Sequence, residues 1–163
     1  MDSIRLQQLN GAVAFLLRQD FYAHTLTRLK GDLRQSAEPF VWATFPLDAF
    51  PCPLPEDIKS CWIFHLKGNV PSGAHYHPNS VQHMIAIDGG GMSLVGGERR
   101  AMVPFGSPGR SLEELWYVIP QGVPHEFTPE GEALTVVSFH TCAADELEEV
   151  ACGSGGKRLY EGT

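Results

Sequence analysis

The sequence predicts an all-β fold, a sandwich or barrel of antiparallel strands, with a helical extension at the N-terminus. From residue 60 onward the chain is a series of short segments rich in β-formers, separated by glycine and proline turns, with no helical pattern between them. Helical periodicity is confined to the first 36 residues. A chain of 163 residues fits one domain and buries enough surface to fold without disulfides.

Residues 1–36 carry apolar side chains at steps of three and four, which is typical of an amphipathic helix. The stripe consists of Leu6, Leu9, Val13 and Leu17, followed by Tyr22, Leu26, Leu29 and Leu33. Asp2 or Ser3 can cap the start and Asp20 can cap a second helix, so two helices or one bent helix fit the pattern. We expect an accessory layer that packs against the barrel or against a second subunit. The acidic charge disfavours a DNA-reading helix pair.

The rest of the chain divides into three segments by composition. Residues 37–59 predict a proline-rich arm, because four prolines between positions 46 and 55 remove backbone donors and forbid a helix, although 40–45 is rich in β-formers. Residues 60–142 contain the predicted strands of the barrel. Residues 143–163 predict a short acidic helix over 143–150 and then a glycine-rich tail, either mobile or a surface strap.

Charge and composition narrow the class of protein. The net charge is −7, from 12 basic and 19 acidic residues, which disfavours binding to nucleic acid or to an anionic membrane surface. The sequence has no run of about twenty apolar residues, and Met1-Asp2-Ser3 lacks the basic start of a secretory signal. The four cysteines show no Cys-x-x-Cys spacing, so we expect free thiols in a cytoplasmic protein.

Two short histidine segments carry the chemistry. His75 and His77 are one residue apart, so on a strand both side chains point to the same face. His125 follows in a second strand-like segment after Pro120 and Gly122, and strand pairing can bring it beside the first two. Three imidazoles that meet in this way predict a metal site, because neutral imidazole binds iron, nickel, copper and zinc.

This central region resembles the cupin superfamily over residues 60–140. The first motif of that family has a glycine, two histidines one residue apart, a glutamate and a second glycine; its second motif contains Pro-x-Gly-x-x-His. The matching residues are His75, His77 and Gly89 in the first motif and Pro120, Gly122 and His125 in the second. The departures are Gln82 for glutamate, Asn69 and Glu114 for glycine, and Pro129 for asparagine.

The resemblance implies a small antiparallel jelly-roll barrel that binds one divalent metal ion inside. His75, His77 and His125 would be imidazole ligands, and Gln82 would be a weaker oxygen ligand or a group that contacts a ligand. His83 could replace Gln82 if a bulge shifted the strand register. Fe(II) is the favoured ion, with zinc, nickel, manganese and copper as alternatives. The resemblance also implies a homodimer.

The glutamine changes the expected chemistry. Replacing a carboxylate by an amide raises the formal charge around a divalent ion from about +1 to about +2, which strengthens the Lewis acid and attracts an anionic small-molecule substrate. We therefore expect a three-histidine Fe(II) dioxygenase, similar to cupins that oxidise thiols or diketones. The alternatives are a non-oxidative sugar-acid isomerase, cyclase or lyase, and a cupin that binds a small molecule without catalysis.

Two further positions are candidates for a catalytic role beside the metal. His140 shares a strand face with Val136 and Ser138, and it would transfer protons if that face points inward, or be a structural histidine at a strand end. Either Arg99 or Arg100 should point inward from a short strand, where it would bind a carboxylate. A solvated pair on the barrel edge is the alternative for the two arginines.

Overall fold

A curled antiparallel sheet forms the body of the protein in the computed structural model, which describes residues 2–160. The predicted all-β class with an N-terminal helical extension is confirmed. In chain order the elements are α1 Ser3–Leu16, α2 Asp20–Gln35, β1 Phe40–Phe45, β2 Ser60–Lys67, β3 His75–Tyr76, β4 Gln82–Val95, β5 Glu98–Met102, α3 Leu112–Leu115, β6 Trp116–Ile119, β7 His125–His140, β8 Glu148–Ala151 and β9 Lys157–Leu159. Strand β7 lies at the centre, since it pairs with β2, β3 and β4.

The N-terminal segment forms two separate helices that cover the outer face of the sheet. Asp2 caps α1 by accepting hydrogen bonds from the amides of Ile4 and Arg5. The buried stripe of α1 packs in one apolar cluster with outward side chains of β2, β4 and β7, among them Ile63, Ile85 and Phe139. The helices thus pack on their own sheet, which is one of the two partners that the sequence allows.

A second apolar cluster fills the concave side of the sheet. Side chains alternate along each strand, so Trp62, Met84 and Val136 point inward while their neighbours Ile63 and Ile85 point toward the helices. Both faces of the central strands are therefore buried. This places any polar side chain of β4 or β7 in an apolar environment on one face or the other.

Strands β4 and β7 are longer than the sequence predicts. We expect a stop at Gly89, but β4 continues through the glycines with register shifts between Ala86 and Asp88 and between Asp88 and Gly90. Gly89 has φ +88°, and a Cβ there would lie 2.4 Å from the carbonyl oxygen of Ala133 on β7. The glycines therefore allow a bulged strand to stay paired where a side chain would separate it from its partner.

The segment boundaries also differ from those in the sequence analysis. The predicted arm over 37–59 begins with β1, which pairs with β2 along its whole length. The helix predicted over 143–150 is wrong: a single 3-10 turn at Ala144–Glu146 precedes strand β8, which pairs with β3 and β9. Sheet hydrogen bonds to β3 determine this conformation more strongly than local acidic composition. Of the predicted tail, residues 161–163 lie outside the described part of the chain.

Two global observations complete the fold. All four cysteines are free, with Cys61 and Cys142 buried and Cys52 and Cys152 exposed. Within residues 2–160, no helix combines the length and the apolar character that a membrane crossing requires.

Candidate metal centre

Strand pairing brings three histidines together inside the sheet. His75 on β3 pairs directly with His125 on β7, and His77 follows β3 on the same face. One nitrogen from each ring can be chosen so that all three atoms lie within 4.8 Å of one another. All three residues are buried, at 9%, 5% and 2% exposure for His75, His77 and His125. The predicted cluster is present in the structure.

Backbone carbonyls orient the three rings in the same way. The Nδ1 atoms of His75, His77 and His125 lie 2.7, 2.7 and 2.9 Å from the carbonyl oxygens of Gly73, Glu148 and Val123. A carbonyl accepts only, so each Nδ1 carries the proton and each Nε2 keeps a free lone pair. The Nε2 of His125 is buried and has no hydrogen-bond partner among residues 2–160.

Burial favours the neutral form of His77 and His125. Desolvation, and to a smaller extent the neighbouring imidazole of His75, lowers the pKa of His77 to about 4 and that of His125 to about 3. Neutral rings with free Nε2 lone pairs are the form in which histidine binds a metal ion.

Gln82 lies at the start of β4, on the face that carries the three histidines. Its Nε2 donates to the hydroxyl of Ser138 at 2.9 Å, which leaves Oε1 turned away from that contact. This oxygen is buried and without a hydrogen-bond partner in the described structure. A buried carbonyl oxygen without a partner is costly, and a bound cation would offset that cost.

His83 points to the opposite face of β4, so the structure does not place it beside the cluster. Its Nε2 accepts a hydrogen bond from Nε of Arg5 at 2.9 Å, and the same guanidinium binds both carboxylate oxygens of Asp57 at 2.8 Å. The strand bulges begin only beyond Ala86. No register shift therefore turns His83 inward.

His140 does reach the inner face. It is fully buried, and its ring centroid lies 5.2 Å from that of His77. Its Nδ1 is 2.9 Å from the hydroxyl of Ser80, while Nε2 lacks a partner among the residues described. Burial lowers the pKa of His140 well below its usual value. The inward orientation expected as one alternative is the one observed.

Neither arginine of β5 reaches the cluster. Arg99 is exposed to solvent. Arg100 lies over the ring of Tyr117, 3.8 Å from its centroid, and donates to the backbone carbonyl oxygens of Glu113 and Trp116. The predicted carboxylate clamp is therefore wrong for Arg99, because residues 98–102 form an edge strand whose only sheet partner is β4.

Sequence reasoning missed one acidic residue at the site. Glu149 on β8 is buried, and its Oε2 lies 3.7 Å from Nε2 of His75. The signal that could have revealed it is the pair of segments 148–151 and 157–159 around a glycine-rich turn, which is typical of a β-hairpin.

A small cavity adjoins the histidines. Its volume is about 40 Å³, and it is lined mainly by apolar and aromatic side chains together with Ser72, His75, His77, Gln82 and Tyr160. A larger cleft of about 670 Å³ lies elsewhere, between α2 and strands β2, β4 and β7, and none of the three clustered histidines lines it. The chemistry therefore belongs to the small cavity, where the candidate ligands are.

Comparisons with known proteins give no match by sequence: no protein-family model and no curated protein matches the chain. The fold does match solved structures. Salicylate 1,2-dioxygenase from Pseudoaminobacter salicylatoxidans, as an adduct with gentisate, has a TM-score of 0.61 and 14% identity over 83% of this chain and 36% of that chain. A mutant of that enzyme in complex with gentisate has a TM-score of 0.60 and 15% identity over 83% and 37%.

A cupin domain of Schizosaccharomyces pombe Cnp3 also matches, with a TM-score of 0.47 and 12% identity over 63% of this chain and 64% of that chain. The present chain spans little more than a third of the length of the salicylate dioxygenases. The chain shares the fold of the salicylate 1,2-dioxygenases, which agrees with the barrel that the sequence motifs predict. Its cluster of His75, His77 and His125 fits a cupin metal site.

Proposed function

We propose that this protein is a metal-dependent cupin enzyme, and that it is a three-histidine Fe(II) dioxygenase acting on a small anionic metabolite. The observation that carries the proposal is the convergence of three buried imidazoles whose Nδ1 atoms all contact backbone carbonyls. The likeness in fold to salicylate 1,2-dioxygenase, which binds gentisate, supports the choice of oxygen chemistry.

The donor set fits a divalent ion of the first transition row. His75, His77 and His125 would hold it through Nε2, and Gln82 offers a further, neutral oxygen. A ferrous ion bound there would supply a centre at which substrate and dioxygen react together. Iron is our choice among the possible ions, with zinc, nickel, manganese and copper as alternatives.

Residues of this chain orient the three histidine rings, exclude bulk water from the cavity and offer a group that can move a proton. Backbone carbonyls hold the three rings in fixed orientations, and the apolar lining excludes bulk water. Ser80 holds the ring of His140 beside His77, where its Nε2 can accept or donate a proton. A buried polar group with one free ring nitrogen is suited to that role.

The small volume of the cavity, about 40 Å³, favours a small substrate over a bulky one. We therefore expect a small aliphatic acid, for example a mercapto acid, to fit better than an aromatic acid such as gentisate.

The test combines metal analysis with oxygen uptake. Protein purified without a metal-affinity column is analysed for metals, then loaded anaerobically with Fe(II) and mixed with oxygen and cysteine, acetylacetone or gentisate. We expect one metal ion per chain, and oxygen consumption that requires both Fe(II) and an organic acid or diketone; the Zn(II)-loaded protein is the control. A protein that binds no metal stoichiometrically contradicts the proposal.

A second candidate is a non-oxidative sugar-acid isomerase, cyclase or lyase with the metal as Lewis acid. The unpartnered amide oxygen of Gln82 favours it, because a neutral ligand leaves the ion more electrophilic than a carboxylate does. Anaerobic turnover of a sugar acid by the metal-loaded protein supports this candidate, whereas tight binding of a metabolite without turnover supports a non-catalytic binding protein. The homodimer and the cytoplasmic location stay predictions.

A further inference from the structure

The C-terminal hairpin of β8 and β9 brings a carboxylate beside His75, one of the three clustered histidines. Strand β8 pairs with β3 beside the first histidine, with Ala151 opposite His75 and Val150 opposite Tyr76. This pairing turns the side chain of Glu149 inward, where it is 9% exposed. The chain therefore has a buried acid at the cluster although its first cupin motif lacks one.

The distance between Glu149 and His75 suits two ligands of one ion. Their closest atoms, Oε2 and Nε2, are 3.7 Å apart, which is too long for a hydrogen bond. Two ligands at about 2.1 Å from one ion, with an angle of about 90–120° between them, lie about 3.0–3.6 Å apart. The observed separation is slightly longer than that range, and Glu149 lies outside the group of ligand atoms that are within 4.8 Å of one another, so its carboxylate would have to turn toward the ion on binding.

The groups around Glu149 hold its side chain in place but only partly balance its negative charge. The hydroxyl of Tyr160, which is 2% exposed, donates to Oε2. The nearest cation of the chain is Arg158, whose Nε lies 3.9 Å from Oε1 and which also contacts Glu38. A buried carboxylate with one hydroxyl donor and a distant guanidinium has its desolvation cost only partly offset, and a bound cation would offset the rest.

We propose that Glu149 is the anionic ligand of this metal centre and takes the place of the motif glutamate that Gln82 replaces. This inference rests on the proposed function. It moves the carboxylate from β4 to β8, and it returns the formal charge around a divalent ion to about +1.

The test measures the affinity of the metal-free, full-length protein for Co²⁺, an oxygen-stable substitute for Fe²⁺. We expect Glu149→Gln, which keeps the shape and an acceptor for Tyr160, to weaken Co²⁺ binding by about 10-fold or more. Asp145→Asn is the matched control, because it removes one negative charge from the same segment at an exposed position. We expect its affinity to equal that of the unmodified protein.

A second variant separates a ligand from a structural residue. Tyr160→Phe removes the hydrogen bond to Glu149 but keeps the carboxylate, whereas Glu149→Gln removes the negative charge and keeps an acceptor for Tyr160. We expect it to bind Co²⁺ more tightly than Glu149→Gln. Equal losses of affinity in the two variants would mean that Glu149 acts only through the hydrogen bond, and this result overturns the inference.

A crystal structure with Co²⁺, read from its anomalous signal, gives a direct answer. We expect a Glu149 carboxylate oxygen within about 2.5 Å of the ion; an oxygen beyond that distance overturns the inference. If Co²⁺ binds in a His125-dependent manner but Glu149→Gln has unchanged affinity, the inference fails and the metal centre stands. If the unmodified protein binds no Co²⁺, both fail.

Discussion

The two faces of strand β4 carry adjacent polar residues with opposite environments. Gln82 points to the concave side, where its amide oxygen lies without a partner near His75 and His77. His83 points to the convex side, where the side chain of Arg5 donates to its Nε2 under the first helix. Both residues are buried, at 5% and 2% exposure, so burial alone does not distinguish a site residue from a structural one.

Convergence of unpaired atoms distinguishes them. On the convex face the Nε2 of His83 accepts a hydrogen bond from Arg5, and only its Nδ1 lacks a partner in the described structure. On the concave face, His125, His140 and Gln82 each present a buried atom without a hydrogen-bond partner among residues 2–160. Several unsatisfied atoms on one buried face are expensive unless a ligand binds them. The concave face is therefore built to bind something.

The largest expected effect tests this contrast through metal affinity. His77→Ala removes one of the three imidazoles and should weaken Co²⁺ binding by about 100-fold or more, since even residues that only contact a ligand cost 10–100-fold. His83→Ala removes an equally large buried imidazole from the other face and should leave Co²⁺ affinity unchanged. Isothermal titration of the two metal-free variants makes the comparison.

A similar loss of affinity in both variants would contradict the contrast between the two faces. It would mean that the site depends on the stability of β4 as a whole. Circular dichroism of each metal-free variant shows whether the sheet is intact before metal is added.

The histidine cluster could be predicted from the sequence, and the carboxylate that we propose as its further ligand could not. His75 and His77 are close in sequence, and period two alone puts them on one face. His125 required the motif resemblance, because nothing local specifies which strands pair. Glu149 depends on the pairing of β8 with β3, which are more than seventy residues apart. Its local acidic composition, moreover, favoured a helix.

The fold shows the same division between local and long-range information. The helical periodicity of residues 1–36 predicted α1 and α2, but α3 was missed. Its signal is a capping box, in which Ser111 accepts from the amide of Glu114 and the Glu114 carboxylate accepts from the amide of Ser111. The glycines at 89–91 predict a strand end, but the strand continues through them. Glycine permits a bulge as well as a turn, and only the close approach of β7 decides between them.

A smaller effect is expected on stability, because His83 has a structural contact on the convex face. His83→Leu keeps the buried volume but removes the acceptor for Arg5, so we expect the free energy of unfolding to fall by about 1–3 kcal/mol, as for a buried hydrogen bond to a charged group. Urea unfolding of the metal-free protein measures it. His83→Gln retains an acceptor and should lose less. Equal losses in the two variants would show that the Arg5 contact contributes nothing.

The smallest effect concerns His65, a second buried histidine on the convex face. Its Nδ1 lies 2.9 Å from the hydroxyl of Thr135, and burial, then the charge of Lys30, lowers its pKa below 6.5, although Asp88 opposes the shift. Below pH 6.5 the unfolded chain therefore binds a proton that the folded chain resists, so this residue lowers stability as the pH falls. We expect His65→Gln to flatten the decline in unfolding free energy between pH 7 and about 5, measured by urea titration in the metal-free protein.

His24→Gln, at an exposed position, is the control, and an equal slope in both variants contradicts the assignment. Because His65 is far from the concave site, the change should occur with no change in Co²⁺ affinity at pH 7, which distinguishes it from any titration of the metal ligands themselves.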